Sequence, residues 1–174
     1  MTVCEVVTYP AQVLTVRAKP VTKFGKRLRG LVADMFDTMY EFDGVGLAAP
    51  QLGVSQRVVV ADSRQGAAER LVLVNPKITG KRGEQTGEEG CLSLPELYAD
   101  VTRATAIEVA AVDCDGDTLR VKASGFLARI IQHEIDHLNG ILFIDRLKPD
   151  QRDEKLAEYD ELRAAAAAAA AEES

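Results

Sequence analysis

The sequence predicts an α+β fold: antiparallel β-sheets packed around a central buried helix, with a further helix at the C-terminus. Three observations carry this. Apolar residues recur at helical spacing in two separated stretches, residues 28–40 and 126–138. Between them lie short runs rich in Val and Ile, bounded by Gly, Pro, Asn and Asp. The second helical stretch is apolar over most of its surface, yet it holds both histidines of the chain. Strands gathered before one buried helix, rather than alternating with helices, indicate antiparallel pairing.

Each element has a local reason. Leu28, Leu31, Val32, Met35, Phe36, Met39 and Tyr40 form one apolar stripe, and Asp43-Gly44 ends that helix. Gly44 to Gln51, G-V-G-L-A-A-P-Q, reads as a Gly-rich loop or short strand. Arg57–Asp62 and Arg70–Val74 read as strands separated by a polar loop, Arg64–Ala68, and Asn75-Pro76 stops the second. Lys81–Gly90 is polar and Gly-rich, without a strand signal. Val101–Val112 and Thr118–Ala123 read as a hairpin turned at Asp115-Gly116. Ser124 is the expected N-cap of a helix through Leu138, closed by Gly140. Pro149 opens a charged helix to about Arg163, followed by eight alanines that either continue it or fray. The expected division is a catalytic domain over residues 1–148 and a charged helix with an Ala-rich tail over 149–174.

Composition narrows the function. At 174 residues the chain suits one domain with a real core. A net charge of -6 argues against electrostatic binding to DNA. No apolar run is long enough for a membrane span, and Met1–Pro10 lacks the pattern of a signal peptide. The cysteines, Cys4, Cys91 and Cys114, are odd in number and widely spaced, which points to the reducing cytoplasm rather than to a disulfide framework. A monomer is the default for such a chain.

The chemistry concentrates in H-E-I-D-H, residues 133–137. Two histidines four apart share one helix face and can meet one cation, with Glu134 beside them as a base. Two histidines placed at random would fall four apart only about once in ninety chains of this length. A catalytic metal usually takes three protein ligands and keeps one open position. No third histidine exists, and Phe143 stands where a metzincin would place one. Glu154 and Glu158 flank the distance at which a thermolysin-like site takes a glutamate. Cys91, in the polar loop G-E-E-G-C-L-S-L-P, is the stronger candidate, and Cys114, between two aspartates, is an alternative.

Three segments, G-V-G-L-A-A-P-Q (44–51), E-G-C-L-S (89–93) and Q-H-E-I-D-H (132–137), follow one another in this order. With them the sequence resembles peptide deformylase, whose three signature motifs they match, over about residues 5–148. The resemblance implies a metal held by Cys91, His133 and His137: Fe(II) in cells, with Ni(II), Co(II) or, less well, Zn(II) as substitutes. It implies removal of the formyl group from the N-terminal formyl-methionine of new polypeptides, releasing formate. Glu134 is then the general acid and base, and Gln51 and the Leu92 N–H stabilise the oxyanion. Read without the resemblance, Gln51 is simply a turn residue and Glu89 and Arg103 are surface charges; with it, those two form an ion pair at the pocket floor. Gly46 permits close approach of an extended peptide. Val45, Leu127 and Ile130 are the candidates for the methionine pocket, with Arg129 at its rim. Family members can dock at the ribosome through a basic C-terminal helix. Here Asp150, Asp153, Glu154, Glu158, Asp160 and Glu161 outnumber Arg152, Lys155 and Arg163, so only weak, transient ribosome contact is expected.

Overall fold

A computed structural model describes residues 1–66 and 70–174. Helix α1 spans Lys26–Glu41. Strand β1 (Gly46–Ala48) leads through a short 3₁₀ turn to β2 (Val58–Ala61). Strands β3 (Leu71–Arg82), β4 (Gln85–Cys91), β5 (Leu94–Arg103), β6 (Ala106–Val112) and β7 (Thr118–Ser124) follow. Helix α2 (Gly125–Leu138) and helix α3 (Pro149–Glu172) complete the chain. Strands β1-β2-β3-β6-β7 form one antiparallel sheet, and β4-β5 a second. No helix among the described residues is long and apolar enough to cross a membrane.

The five-stranded sheet is covered on both faces. Leu28, Val32, Met35, Phe36 and Met39 of α1 pack against Leu47, Val58, Val60 and Val74. On the opposite face Ala128, Ile131, Ile135 and Leu138 of α2 pack against Val59, Leu73, Ile107 and Val109. Successive valines of β2 therefore point to opposite layers, which is why the whole strand is apolar. A third cluster joins Leu94, Leu97 and Val101 of β5 to Leu142, Phe143 and Ile144, in the connection after α2, and to Tyr159 of α3, with Cys91 and Tyr9 at its border.

Several elements differ from the sequence reading. Asn75-Pro76 does not stop β3; the strand continues to Arg82 across a register shift between Val74 and Lys77. Asn75 takes φ 51° there, and its side chain bonds both the N–H and the C=O of Val21. A proline is tolerated at such a bulge because no ladder bond is required of it. The polar stretch before Cys91 is a strand, β4. Val101–Val112 is two strands that belong to different sheets, parted at Ala104-Thr105. Ser124 stands at the N-cap of α2 as expected but makes no side-chain capping bond; the start of α2 is anchored by Gln85, whose Nε2 donates to the carbonyls of Gly125 and Ala104. At the end of α1 the left-handed residue is Asp43, φ 54°, not Gly44. Gly44 fits closely there, since a Cβ would lie 3.3 Å from Met39 Cγ and from the Met39 carbonyl oxygen. The eight alanines continue α3 as helix. Of the Arg64–Ala68 loop, Ala67 and Ala68 lie outside the described residues.

The C-terminus of α2 is fixed from outside. Arg57, buried, donates to the Leu138 carbonyl at 2.7 Å and to Asn139 Oδ1 at 3.1 Å, a cation where the helix dipole is negative. Gly140 takes φ 71°, and a Cβ there would lie 2.7 Å from the Thr15 backbone. The segment around Thr15–Lys19 runs past both, the Ala18 N–H donating to the Leu138 carbonyl and the Lys19 carbonyl accepting the Arg57 N–H, while upstream the Val7 and Tyr9 N–H groups donate to the carbonyls of Gln51 and Ser93.

The two halves of α3 contribute unequally. Tyr159 is 2% exposed, and its hydroxyl donates to the Tyr9 carbonyl at 3.0 Å. The alanine half is exposed throughout. Ending the chain after Arg163 should leave the midpoint of urea unfolding unchanged, whereas Tyr159→Ala should lower stability by about 3 kcal/mol.

Candidate metal centre and its cavity

Helix α2 buries three faces, and the sequence pattern assigns each a task. Ala128, Ile131, Ile135 and Leu138 meet the sheet. Arg129, Gln132 and Asp136 form a buried polar face that engages the β4–β5 sheet and its connection to β6. Ile130, His133 and Glu134 line a cavity of about 730 Å³. Burying so many polar groups is tolerable only if each finds a partner.

Glu89 supplies the key partner. Residues two apart on a strand share a face, so Glu89 and Cys91 of β4 both turn toward α2. The Glu89 carboxylate accepts from Arg103 Nε at 2.7 Å and Nη2 at 2.9 Å, from Arg129 Nη1 at 2.6 Å, and from His133 Nδ1 at 2.8 Å. Arg103 also donates to Asp136 at 2.8 Å, and Arg146 closes the chain on the far side of Asp136. Burial alone would raise the Glu89 carboxyl, but the bonds from Arg103 and His133 hold it down, to about 2. Its bond to Nδ1 leaves Nε2 of His133 free to face the cavity. A histidine ligand is commonly oriented in this way by a carboxylate.

Cys91 Sγ lies 3.3 Å from His137 Nε2, and the thiol and the two imidazoles bring their donor atoms within 4.8 Å of one another. Among the described residues no other three His, Cys, Asp or Glu side chains converge in this way. One thiolate and two imidazoles, with a cavity on the open side, suit a divalent transition metal with one coordination position left for a small ligand. Glu134 stands beside them, and its Oε2 has no protein partner although the residue is 5% exposed. Burial raises its carboxyl to about 7. Burial also pushes the His137 ring well below the usual histidine range, toward the neutral form that binds metals.

Gln51 is 2% exposed and reaches the same centre. Its Oε1 accepts the Ala48 N–H at 2.9 Å, which directs Nε2 toward Ser93 Oγ at 3.3 Å and Cys91 Sγ at 3.6 Å. Leu92, in the turn after β4, lines the cavity. Gly46 is packed against Glu134: a Cβ there would lie 2.7 Å from its Oε1 and 2.8 Å from Ile130 Cγ2.

Of the residues anticipated for an apolar pocket, Val45 and Ile130 line the cavity and Leu127 does not; it packs against the α2–sheet core. Arg129 borders the cavity but is no rim residue. It is buried, and it donates to the carbonyls of Val101 and Gln85 at 2.8 and 3.0 Å, fastening β4 and β5 to α2. The alternative ligands lie elsewhere. Cys114 packs beside α1, and Glu154 and Glu158 are exposed on α3. Phe126, exposed and lining the cavity, and Ser93, buried beside Gln51, were not anticipated. The 3.6-residue period from Ile130 to Phe126 signalled the first; the second was signalled only by its place at the end of E-G-C-L-S.

Residues 3–153 match the family model described as polypeptide deformylase. The chain belongs to that family. It is 49% identical over 160 residues to peptide deformylase 1 of Bacillus subtilis (strain 168), covering 92% of this chain and 99% of that protein. The crystal structure of a peptide deformylase from Legionella pneumophila superposes with a TM-score of 0.88 at 43% identity, covering 95% of this chain and 98% of the other. The peptide deformylase from Thermus thermophilus gives 0.85 at 43% identity, covering 91% and 94%. The family is metal-dependent, in agreement with the thiol and imidazole cluster.

Removing the Glu89 carboxylate strands two buried guanidinium groups. Glu89→Ala should therefore cost about 3–5 kcal/mol in urea unfolding of the metal-free protein. A cost near zero would mean that the ion-pair cluster does not hold β4 to α2.

Proposed function

We propose that this protein hydrolyses the N-formyl group of formyl-methionyl polypeptides, with Cys91, His133 and His137 as metal ligands and α2 as the central element of the catalytic unit. The observation that carries the reading is the convergence of these three donors, within 4.8 Å, beside a buried carboxylate that has one oxygen without a protein partner. Fe(II) is the proposed metal in the cell, with Ni(II), Co(II) or Zn(II) as substitutes, since a thiolate and two imidazoles suit all four. When bound, such a cation supplies Lewis acidity that acidifies a water and polarises the formyl carbonyl.

The chain's own groups do the rest. Glu134 accepts the proton of the attacking water at Oε2 and passes it to the amine nitrogen as the C–N bond breaks, giving formate and a free methionyl N-terminus. A carboxyl raised to about 7 by burial is matched to both steps near neutral pH. The Gln51 Nε2 and the Leu92 N–H are the proposed donors to the developing oxyanion. The bond from Ala48 N–H to Gln51 Oε1 supports this, because it fixes which end of the amide faces the centre. Val45 and Ile130 offer the methionine side chain an apolar wall. The backbone of Gly44–Gly46, at the edge of the five-stranded sheet, offers the peptide a strand to pair with.

Residues 1–148 are proposed as the catalytic domain, with α3 bracing it through Tyr159. The three free cysteines favour a reducing cytoplasm. Exposed Phe42, Tyr98 and Phe126 gather at the cavity, where they serve substrate rather than a second copy, so a monomer is the proposed working state. The acidic balance of α3 supports no more than transient ribosome contact.

Formate release from formyl-Met-Ala-Ser by Ni(II)-loaded protein tests the reading. Glu134→Ala should abolish release while the metal stays bound, and Cys91→Ser should lower metal content on dialysis along with activity. Full metal loading of the wild type without formate release would contradict the assignment. Gly46→Ala should lower kcat at least about 10²-fold at unchanged metal content, because the new methyl displaces the Glu134 carboxylate.

A further inference from the structure

The outer wall of the cavity, Phe42–Gly46, is held by a residue that does not line it. Strand β1 pairs with β2 as far as Gly46 and Ala61, and one bond more is made beyond it, from the Asp62 N–H to the Val45 carbonyl at 2.8 Å. The backbone then turns away at Arg64, which takes φ 56°. The next carbonyl along the wall, that of Gly44, receives its donor from a side chain instead: Arg64 Nη2 at 3.0 Å. The same guanidinium lies 3.6 Å from the carboxylate of Asp43, itself at φ 54°, and 5.4 Å from the centre of the Tyr40 ring.

Arg64 is itself held from two sides. Its backbone N–H donates to Asp62 Oδ1 at 2.9 Å, and the other oxygen of Asp62 accepts the Tyr40 hydroxyl at 2.7 Å. Tyr40 stacks on Phe36, over which Arg70 lies at 4.1 Å. The guanidinium thus connects the end of α1, the end of β2 and the wall between them. Two non-glycine residues in left-handed conformations face each other across this link. Such conformations persist where the surroundings over-determine them, often beside a working site.

We propose that Arg64 is a positioning residue for the substrate chain: by donating to Gly44 and pairing with Asp43 it sets the edge along which the peptide lies. This rests on the deformylase reading above. Arg64 touches no reacting atom, and Glu134 and the ligand triad are held by other elements. Loss of the guanidinium therefore weakens binding of the extended peptide and leaves the chemical step alone. The effect depends on how much peptide runs along the wall.

The test compares Ni(II)-loaded wild type, Arg64→Ala and Arg64→Lys on formyl-Met-Ala-Ser and on formyl-methionine alone, with hydrogen exchange of residues 42–46 followed on the same samples. The expected result for Arg64→Ala is a KM raised about 5- to 20-fold on the tripeptide, a much smaller change on formyl-methionine, kcat within about twofold, and faster exchange at 42–46. Lysine, which can still donate to the Gly44 carbonyl, should restore most of the KM. Unchanged KM on the tripeptide, or an equal loss on both substrates carried by kcat, would overturn the proposal. So would unchanged exchange at 42–46. Wild-type protein that releases no formate would fail the reading of function instead, while the exchange comparison would still decide whether Arg64 holds the wall.

Discussion

The structure depends on one buried carboxylate with four donors on it. Glu89 accepts from two guanidinium groups and one imidazole, and it is itself 6% exposed. Each of these groups would be costly to bury alone. With Asp136 taking a further bond from Arg103 their charges balance, and they fasten three elements: β4 through Glu89, β5 through Arg103, and α2 through Arg129 and His133. The same contact performs a chemical task. It fixes the His133 ring through Nδ1, so that Nε2 points toward Cys91 and His137. The cluster that joins the small sheet to the helix is also the cluster that aims the His133 ring into the Cys91–His137 group.

Economy of helix faces follows from this. Helix α2 has no solvated stripe of ordinary width; eleven of its fourteen residues are buried. One face packs on the sheet, one carries the ion pairs, and one carries the site. A polar side chain on such a helix must either be satisfied by a neighbour or remain available for function. Gln132 takes the first course, bonding the Ala104 backbone through both ends of its amide. Glu134 takes the second at Oε2. The resulting buried carboxyl is raised, while the equally buried Glu89 is depressed. Burial is common to both, and the number of donors separates them.

What the sequence made legible follows the same logic. Helices α1 and α2, strand β2 and the β6–β7 hairpin were readable because their residues obey apolar periodicity. Helix α2 gave away the site as well, because H-E-I-D-H needs only the helical repeat to bring its residues together. Strand β4 was not readable. Its inward residues are Gln85, Gly87, Glu89 and Cys91, which anchor α2, admit the Arg129 side chain, pair with arginines and offer a thiol. No apolar alternation survives when every inward position has a polar task. The continuation of β3 past Pro76 was hidden by a residue that normally stops strands, and only the bulge explains it. Arg129 read as a rim residue from its place on the helix turn of Leu127 and Ile130, because the carbonyls and carboxylate that hold it come from strands distant in sequence. Leu127 sits one position from Phe126 on the helix, and that rotation turns it to the sheet rather than to the cavity.

The central claim is that Glu89 and its arginines pre-arrange a site of one sulfur and two imidazole nitrogens, with Cys91, His133 and His137 as the donors. X-ray absorption at the zinc edge of the Zn(II)-loaded protein tests it most directly. The account predicts one sulfur near about 2.3 Å and two nitrogens at about 2.0–2.1 Å, with the remaining scatterer a light atom. A shell made of nitrogen and oxygen alone would contradict it, since Cys91 would then not be a ligand and the third donor would have to come from elsewhere.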